Sequence, residues 1–277
     1  WVDEETDNIA MLRNVNFRHV DHSSIFKYPR RWSYLSRYFK EGGQNSLNEF
    51  ISEKRSMNFM THAISGDCWP IFEAFGDRLF FIRTARCPMT EYMVNHLANW
   101  SSRWGQDPRS GMILVKKEGK ANNNTAPYFI KENIEKYFDS SPHDRAIYML
   151  EEWQNKGNET IDNLLKNGKS NILEVPFEKF VFEPLEPIEK ISAHLNQSPD
   201  KITFKEMKKQ KVPRSSLSDA PFNKTYKKIG WVKPKTHFTI EQEFDLSRKK
   251  IMENASIEAM QVLDKLTETY IKRYNIF

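Results

Sequence analysis

The chain holds only two cysteines, Cys68 and Cys87, in 277 residues. Two thiols cannot build a disulfide framework, and their spacing does not match a metal site, so a reducing compartment is the simpler expectation. No run of eighteen or more apolar residues is present, and the N-terminus lacks a basic segment followed by an apolar one. Neither a membrane span nor a signal peptide is therefore predicted. No internal repeat occurs, which excludes repeat architectures. His19 and His22 flank Asp21, but no further ligands have matching spacing, and no metal is assigned.

What is present is enough for a large core. Hydrophobic residues make up 39% of the chain and aromatic residues 13%, which excludes global disorder and fits one large domain or at most two. The chain opens on Trp1 rather than Met and runs directly into Val2-Asp3-Glu4-Glu5, so a preceding segment is expected to have been cut away. Six Asn-x-Ser/Thr triplets lie at Asn99, Asn123, Asn158, Asn196, Asn223 and Asn254. An Asn-rich sequence generates such triplets by chance, and Asn99 falls inside a predicted helix. A cytoplasmic location is expected ahead of a secretory lumen, the lumen being the alternative for a eukaryotic chain anchored upstream.

The net charge of +5 is unevenly spread: residues 201–235 hold eleven Lys/Arg against Glu206 and Asp219. A patch this basic points to a polyanion such as a phosphorylated nucleotide, a nucleic acid, or a sulfated or phosphorylated substrate. The plain alternative is a solvated lysine-rich loop.

Hydrophobic periodicity alternates between strand-like and helix-like segments. The first thirty residues read as irregular, with helices then expected around Trp32–Phe39 and Ser46–Arg55. Met57–Ala63 reads as a short buried strand, and Gly66-Asp67 opens a helix that runs to Gly76. Arg78–Ala85 is a mostly apolar run bounded by Gly76-Asp77 and Pro88, as expected for a central strand covered on both faces. Met89, Met93, Leu97, Trp100 and Trp104 repeat at helical spacing up to Gly105 and read as core. Met112–Val115 is a candidate strand, and Gly119–Pro127 reads as a polar, Asn-rich loop. Ser141-Pro142 caps and opens a helix with Ile147, Leu150 and Trp153 inward, followed by a further turn through Ile161, Leu164 and Leu165. Asn171–Val175 is a second strand, Pro187 introduces another helix, and one long amphipathic helix is expected from about Ile240 to Tyr274. Strands alternating with helices predict an α/β layered fold with a parallel sheet, because parallel neighbours need crossover helices.

Two blocks carry a resemblance. The run from His62 through Arg86-Cys87-Pro88 places a histidine about two dozen residues before an arginine that closes a hydrophobic strand and precedes a proline-opened helix. Ile172-Leu173-Glu174-Val175-Pro176-Phe177-Glu178 then gives a strand followed by an aromatic and an acid, with a proline turn and a helix behind it. In order and spacing these resemble sulfotransferases that use 3′-phosphoadenosine 5′-phosphosulfate, and the similarity spans residues 57–235. Lys227-Lys228-Ile229-Gly230-Trp231, after Val212-Pro213-Arg214, is similar to the basic loop with which that family grips the 3′-phosphate. The resemblance implies a three-layer P-loop NTPase-like α/β fold with a central parallel sheet flanked by helices, its N-terminal strand and P-loop missing. It also implies a single domain over 1–277: a substrate-side segment at 1–56, a core at 57–200, a basic nucleotide-side loop at 201–239 and a C-terminal helix at 240–277.

The same resemblance assigns roles. His62 would be the general base, since imidazole accepts a hydroxyl proton near neutral pH. Arg86 would hold the 3′-phosphate with its planar fork, and Arg214, Lys227 and Lys228 would add cationic contacts. Phe177 would lie near the adenine, although its plain expectation is a place in the core. The plain alternative for His62 is a hydrogen-bonded core group, and for Arg86 a salt-bridge partner at a strand end. Phe26–Trp32, aromatic and basic, would line an acceptor pocket or form a surface turn. The chain departs from the family pattern at three points. The serine expected eight residues after the arginine is Val94, with Asn95 as the nearest polar substitute; no lysine stands just before His62; and no glycine-rich phosphate loop is present. If the chain is a fragment, that loop is expected upstream of Trp1; if it is complete, it is expected to bind nucleotide poorly and to turn over nothing.

The expected activity is sulfuryl transfer from 3′-phosphoadenosine 5′-phosphosulfate to a hydroxyl or amine acceptor, without a metal. The alternatives are a nucleotide-dependent kinase of the same fold, which should bring a carboxylate for Mg²⁺ to a strand end, and a non-catalytic polyanion-binding or nucleic-acid-binding protein. The expected partners are the nucleotide and an acceptor rather than nucleic acid. Neither the acceptor nor the oligomeric state follows from the sequence.

Overall fold

The computed structural model describes residues 64–104, 112–115, 124–127, 129–221 and 238–277, together with Ser52. Apart from Ser52 these belong to one compact unit, Ala63–Phe277. His62, Lys227, Lys228, the Met57–Ala63 strand and the expected elements of the first fifty-five residues lie outside the described residues.

The described part is mixed α/β, mostly helical, with a small parallel sheet. Helix α1 (Trp69–Phe75) carries Pro70 in its first turn and stops at Gly76, whose φ of 54° suits a residue without Cβ. A 3₁₀ turn over Gly76–Arg78 takes up the start of the apolar run, so β1 spans Phe81–Ala85 rather than the whole expected stretch. Helix α2 (Glu91–Trp104) follows, then β2 (Met112–Val115) and β3 (Asn124–Pro127). The Asn-rich segment expected to be loop throughout thus ends in a strand. β3 pairs antiparallel with β2, from Met112↔Pro127 to Val115↔Asn124, a case of pairing overriding the low strand preference of Asn.

After the short helix α3 (Ile134–Asp139), α4 runs unbroken from Pro142 to Lys166. The Ser141 hydroxyl caps it by accepting from Asp144 N–H at 3.2 Å. The two expected helical pieces are one, and Gly157 within it serves a close approach: a Cβ there would stand 2.7 Å from Ser65 Oγ and 3.0 Å from Arg83 Nη2. Next come β4 (Ile172–Pro176), α5 (Phe177–Phe182), α6 (Leu185–Leu195) and α7 (Lys201–Lys209).

The expected single C-terminal helix is two, α8 (Ile240–Met252) and α9 (Ile257–Tyr274). The break falls where Ser256 offers a better alternative than continuation. Its hydroxyl accepts from Ala259 N–H at 3.2 Å and caps α9, while its own N–H donates to Asp144 at 2.8 Å. Thr239 and Gln242 form a reciprocal capping box at the start of α8.

Strands β1 and β4 pair in parallel, with Phe81 opposite Ile172 and Ala85 opposite Pro176. The main core joins α2, α3, α4, α8 and α9 through residues such as Val94, Tyr137, Ile147, Leu150, Phe244, Ile251 and Leu263. A smaller cluster of Cys68, Phe72, Ile161 and Leu164 packs beneath Phe81 and Ile172. Polar groups also enter the interior as a network. Glu174 accepts from Arg83 at 2.8 Å, Tyr274 OH at 2.7 Å and Arg273 at 2.8 Å, and Arg273 also forks onto Asp162 at 2.7 and 3.0 Å. No described helix is long and apolar enough to cross a membrane.

Candidate anion-binding site at the strand ends

Parallel pairing decides which residues meet. Because Ala85 lies opposite Pro176, the next residue of each strand, Arg86 and Phe177, emerges at the same C-terminal edge of the sheet. This edge is where open α/β sheets bind ligands. The Arg86 guanidinium carbon lies 4.4 Å from the centre of the Phe177 ring and 4.6 Å from that of Tyr92, a cationic plane between two aromatic faces. Arg214 reaches the same ring from a distant segment, at 5.4 Å. Its N–H donates to Val181 O at 2.7 Å, and its guanidinium donates to Leu217 O at 3.2 Å. Phe177 is half-buried and lies outside the hydrophobic clusters, so the expectation of a core position is corrected: two guanidinium groups stand over its ring.

The turn carrying Arg86 is held from several sides. Cys87 N–H donates at 3.1 Å to Glu178, a carboxylate that is fully buried and also accepts from Tyr270 OH. Thr90 Oγ1 donates to Cys87 O at 3.2 Å, and Gln154 Nε2 donates to Arg86 O at 3.4 Å. Burial pushes the Cys87 thiol and the Tyr270 hydroxyl well above their ordinary values, so both stay protonated. The buried Cys68 thiol is likewise pushed up, to about 11. Among the described residues Arg86 Nε is buried without a hydrogen-bond partner, as is Arg145 Nε on α4. A buried guanidinium N–H without an acceptor marks a place where an anion would complete the bonding.

Beside these arginines lies a small cavity of about 50 Å³, lined by Arg86, Thr90, Tyr92, Arg214, Ser218 and Ser247, with Glu91 and Glu243 at its wall. Both carboxylates are engaged. Glu91 pairs with Lys250 at 2.7 Å, and Glu243 accepts from Ser218 N–H at 3.1 Å and Oγ at 3.0 Å. Burial raises the Glu243 carboxyl above its ordinary value.

Asn95, the expected substitute for the family serine, turns elsewhere. Its Nδ2 donates to Glu91 at 3.5 Å and its Oδ1 lies 3.2 Å from His143 Nε2, and it does not line the cavity. Burial lowers the His143 imidazole below its ordinary value, which keeps the ring neutral at pH 7. Of the residues expected at the site, then, Arg86, Phe177 and Arg214 come together, and Asn95 stands a turn away. Tyr92, Ser218 and Glu243 went unread, and Glu178 was read as a motif position without a role. Glu178 directly follows Phe177 and was legible as a motif position, whereas the others meet the site only through helix packing. Among the described residues no group of His, Cys, Asp and Glu is placed to hold a metal ion. Compared with protein-family models, curated proteins and solved structures, the chain matches none.

Proposed function

We propose that this chain is the body of a sulfotransferase-like enzyme of the three-layer P-loop type, in which Arg86 and Arg214 hold the 3′-phosphate of 3′-phosphoadenosine 5′-phosphosulfate. The observation that carries this reading is the buried Arg86 Nε, without a hydrogen-bond partner among the described residues, at the C-terminal end of β1, with Arg214 over the same Phe177 ring and in the same cavity lining. Two fixed guanidinium groups beside hydroxyls fit a dianionic phosphate ester. The co-substrate supplies the activated sulfuryl group. What the chain contributes is position and charge: Arg86 and Arg214 neutralise the ester, the Glu178 clamp fixes the Arg86 turn, and His62 takes the acceptor proton. Lys227 and Lys228 belong to the same phosphate grip in this reading.

The test is calorimetric titration of the chain with 3′-phosphoadenosine 5′-phosphate, with ATP and Arg86→Ala as controls. Binding that Arg86→Ala abolishes and ATP does not match supports the reading. Equal or better binding of ATP favours the kinase, and absence of bisphosphate binding, even with an upstream phosphate loop supplied, ends the proposal.

A second reading has its own observation. Lys201, Lys205 and Lys208 are exposed along α7, as a non-catalytic polyanion-binding surface would require. That version gives steeply salt-dependent binding of any polyanion and indifference to Arg86→Ala.

A further inference from the structure

A second depression lies away from the arginine pair, between the start of α1 and the C-terminal half of α4. It encloses about 350 Å³ and is lined among the described residues by Asp67, Trp69, Pro70, Thr160, Asn163 and Asn167, with Gly66 and Leu164 at its floor. That volume lies within the range of small-molecule sites, roughly 300–1,000 Å³. The two sites are distinct places on one helix. Gln154 of α4 bonds the Arg86 turn, and Asn163 stands nine residues further on, about 13 Å along the axis.

The chemistry of the lining is specific. Trp69 is 53% exposed although it is the largest apolar side chain of its helix. It sits at the first position of α1, where no packing need explains an indole. Asn163 and Asn167 are exposed one helical turn apart, and neither carboxamide bonds another side chain or backbone group among the described residues. Each carboxamide both donates and accepts, as sugar hydroxyls do. Asp67 is the charged residue of the lining and pairs with Lys156 at 3.0 Å and Lys131 at 3.7 Å, neither of which lines the groove, so no lining cation faces a phosphate or sulfate. A flat aromatic platform, paired carboxamides and a lining without a cation match a neutral pyranose, whose C–H face covers the indole while its hydroxyls exchange bonds with the amides.

We propose that this groove is a binding site for a neutral saccharide. The site stands independently of sulfuryl transfer, since none of its residues takes part in the arginine site. A nucleoside could also stack on an indole, but it would leave the carboxamide pair with fewer matched hydroxyls.

The test is titration of the full chain with cellotriose and chitotriose, followed by calorimetry and by ligand-observed saturation-transfer NMR, with adenosine as the stacking control. One of the trisaccharides is expected to bind with a Kd of about 1 mM or tighter. Trp69→Ala should weaken it at least about tenfold and Trp69→Phe less, while Asn163→Ala combined with Asn167→Ala weakens it to a similar degree. Because all three side chains are exposed, the unfolding midpoint of each variant should match the parent. No saturation transfer from either trisaccharide at millimolar concentration, affinity that survives both Trp69→Ala and the double asparagine variant, or adenosine binding in place of saccharide would each overturn the proposal.

Discussion

Arg86 stacks on Phe177 with its guanidinium carbon 4.4 Å from the ring centre, each residue being the first beyond its own strand. The contact fixes the arginine plane and leaves its N–H edge for an acceptor. Arg86→Ala is therefore expected to lower affinity for 3′-phosphoadenosine 5′-phosphate at least about tenfold, from loss of charge-assisted bonds of about 1.5–3 kcal/mol. Phe177→Leu keeps the charge but loses the stack, and should cost only a few-fold. Calorimetric titration of both variants checks this, and a larger loss in Phe177→Leu would contradict it.

Glu178 is expected to matter more to folding than its position beside a half-buried aromatic suggests. It is fully buried and accepts from Cys87 N–H and Tyr270 OH. Glu178→Ala strands both donors in the interior, at about 1–3 kcal/mol each. The unfolding midpoint should fall by about 10 °C. Glu178→Gln preserves shape and one acceptor and should lose roughly half as much, as a pair of thermal melts would reveal.

Acid stability should depend on the Asp162 and Arg273 fork. Hydrogen bonds from Arg273 hold the Asp162 carboxyl below its ordinary value, so it binds fewer protons folded than unfolded. The resulting stabilisation is complete above the unfolded aspartate value of about 3.9 and is lost as pH falls through the lower folded value. Asp162 is partly exposed, so solvent screening keeps the effect small. Denaturant melts of Asp162→Asn should show a deficit at pH 7 that shrinks towards pH 3; a deficit independent of pH would contradict this account.

Two glycines should respond to alanine for different reasons. At Gly157 helix propensity favours alanine by about 1 kcal/mol. The added Cβ would, however, meet Ser65 Oγ at 2.7 Å and Arg83 Nη2 at 3.0 Å, and Arg83 is anchored on Glu174. Overpacking of this kind costs about 1–3 kcal/mol, so net destabilisation is expected. Gly168 has open space but a φ of 80°, and alanine there should cost about 1–2 kcal/mol of backbone strain alone. Denaturant midpoints would rank the two, and a stabilised Gly157→Ala would overturn the packing argument.

Much of the fold was readable because it is written locally. Ser141-Pro142 names the start of α4, the apolar runs name β1 and β4, and of the residues read at helical spacing Met89 and Leu97 are buried in the main core with Met93 packed against it. The misreadings share one cause. β3 exists because β2 offers a partner, position 157 of α4 is a glycine because Ser65 and Arg83 fill the space a Cβ would need, and α8 parts from α9 where Asp144 receives the Ser256 N–H. In each case the deciding group comes from elsewhere in the chain.

The candidate site divides along the same line. Sequence by itself determined that a basic, aromatic-rich chain places Arg86 and Phe177 just after apolar strands, since residue type and order require no partner to be known. Only the tertiary structure decided that the strands run parallel in a register that brings the two together, that Arg214 shares the ring, and that Asn95 turns to Glu91 and His143. Register and helix rotation arise from packing between distant segments, and no local pattern encodes which distant side chain will fill a given space.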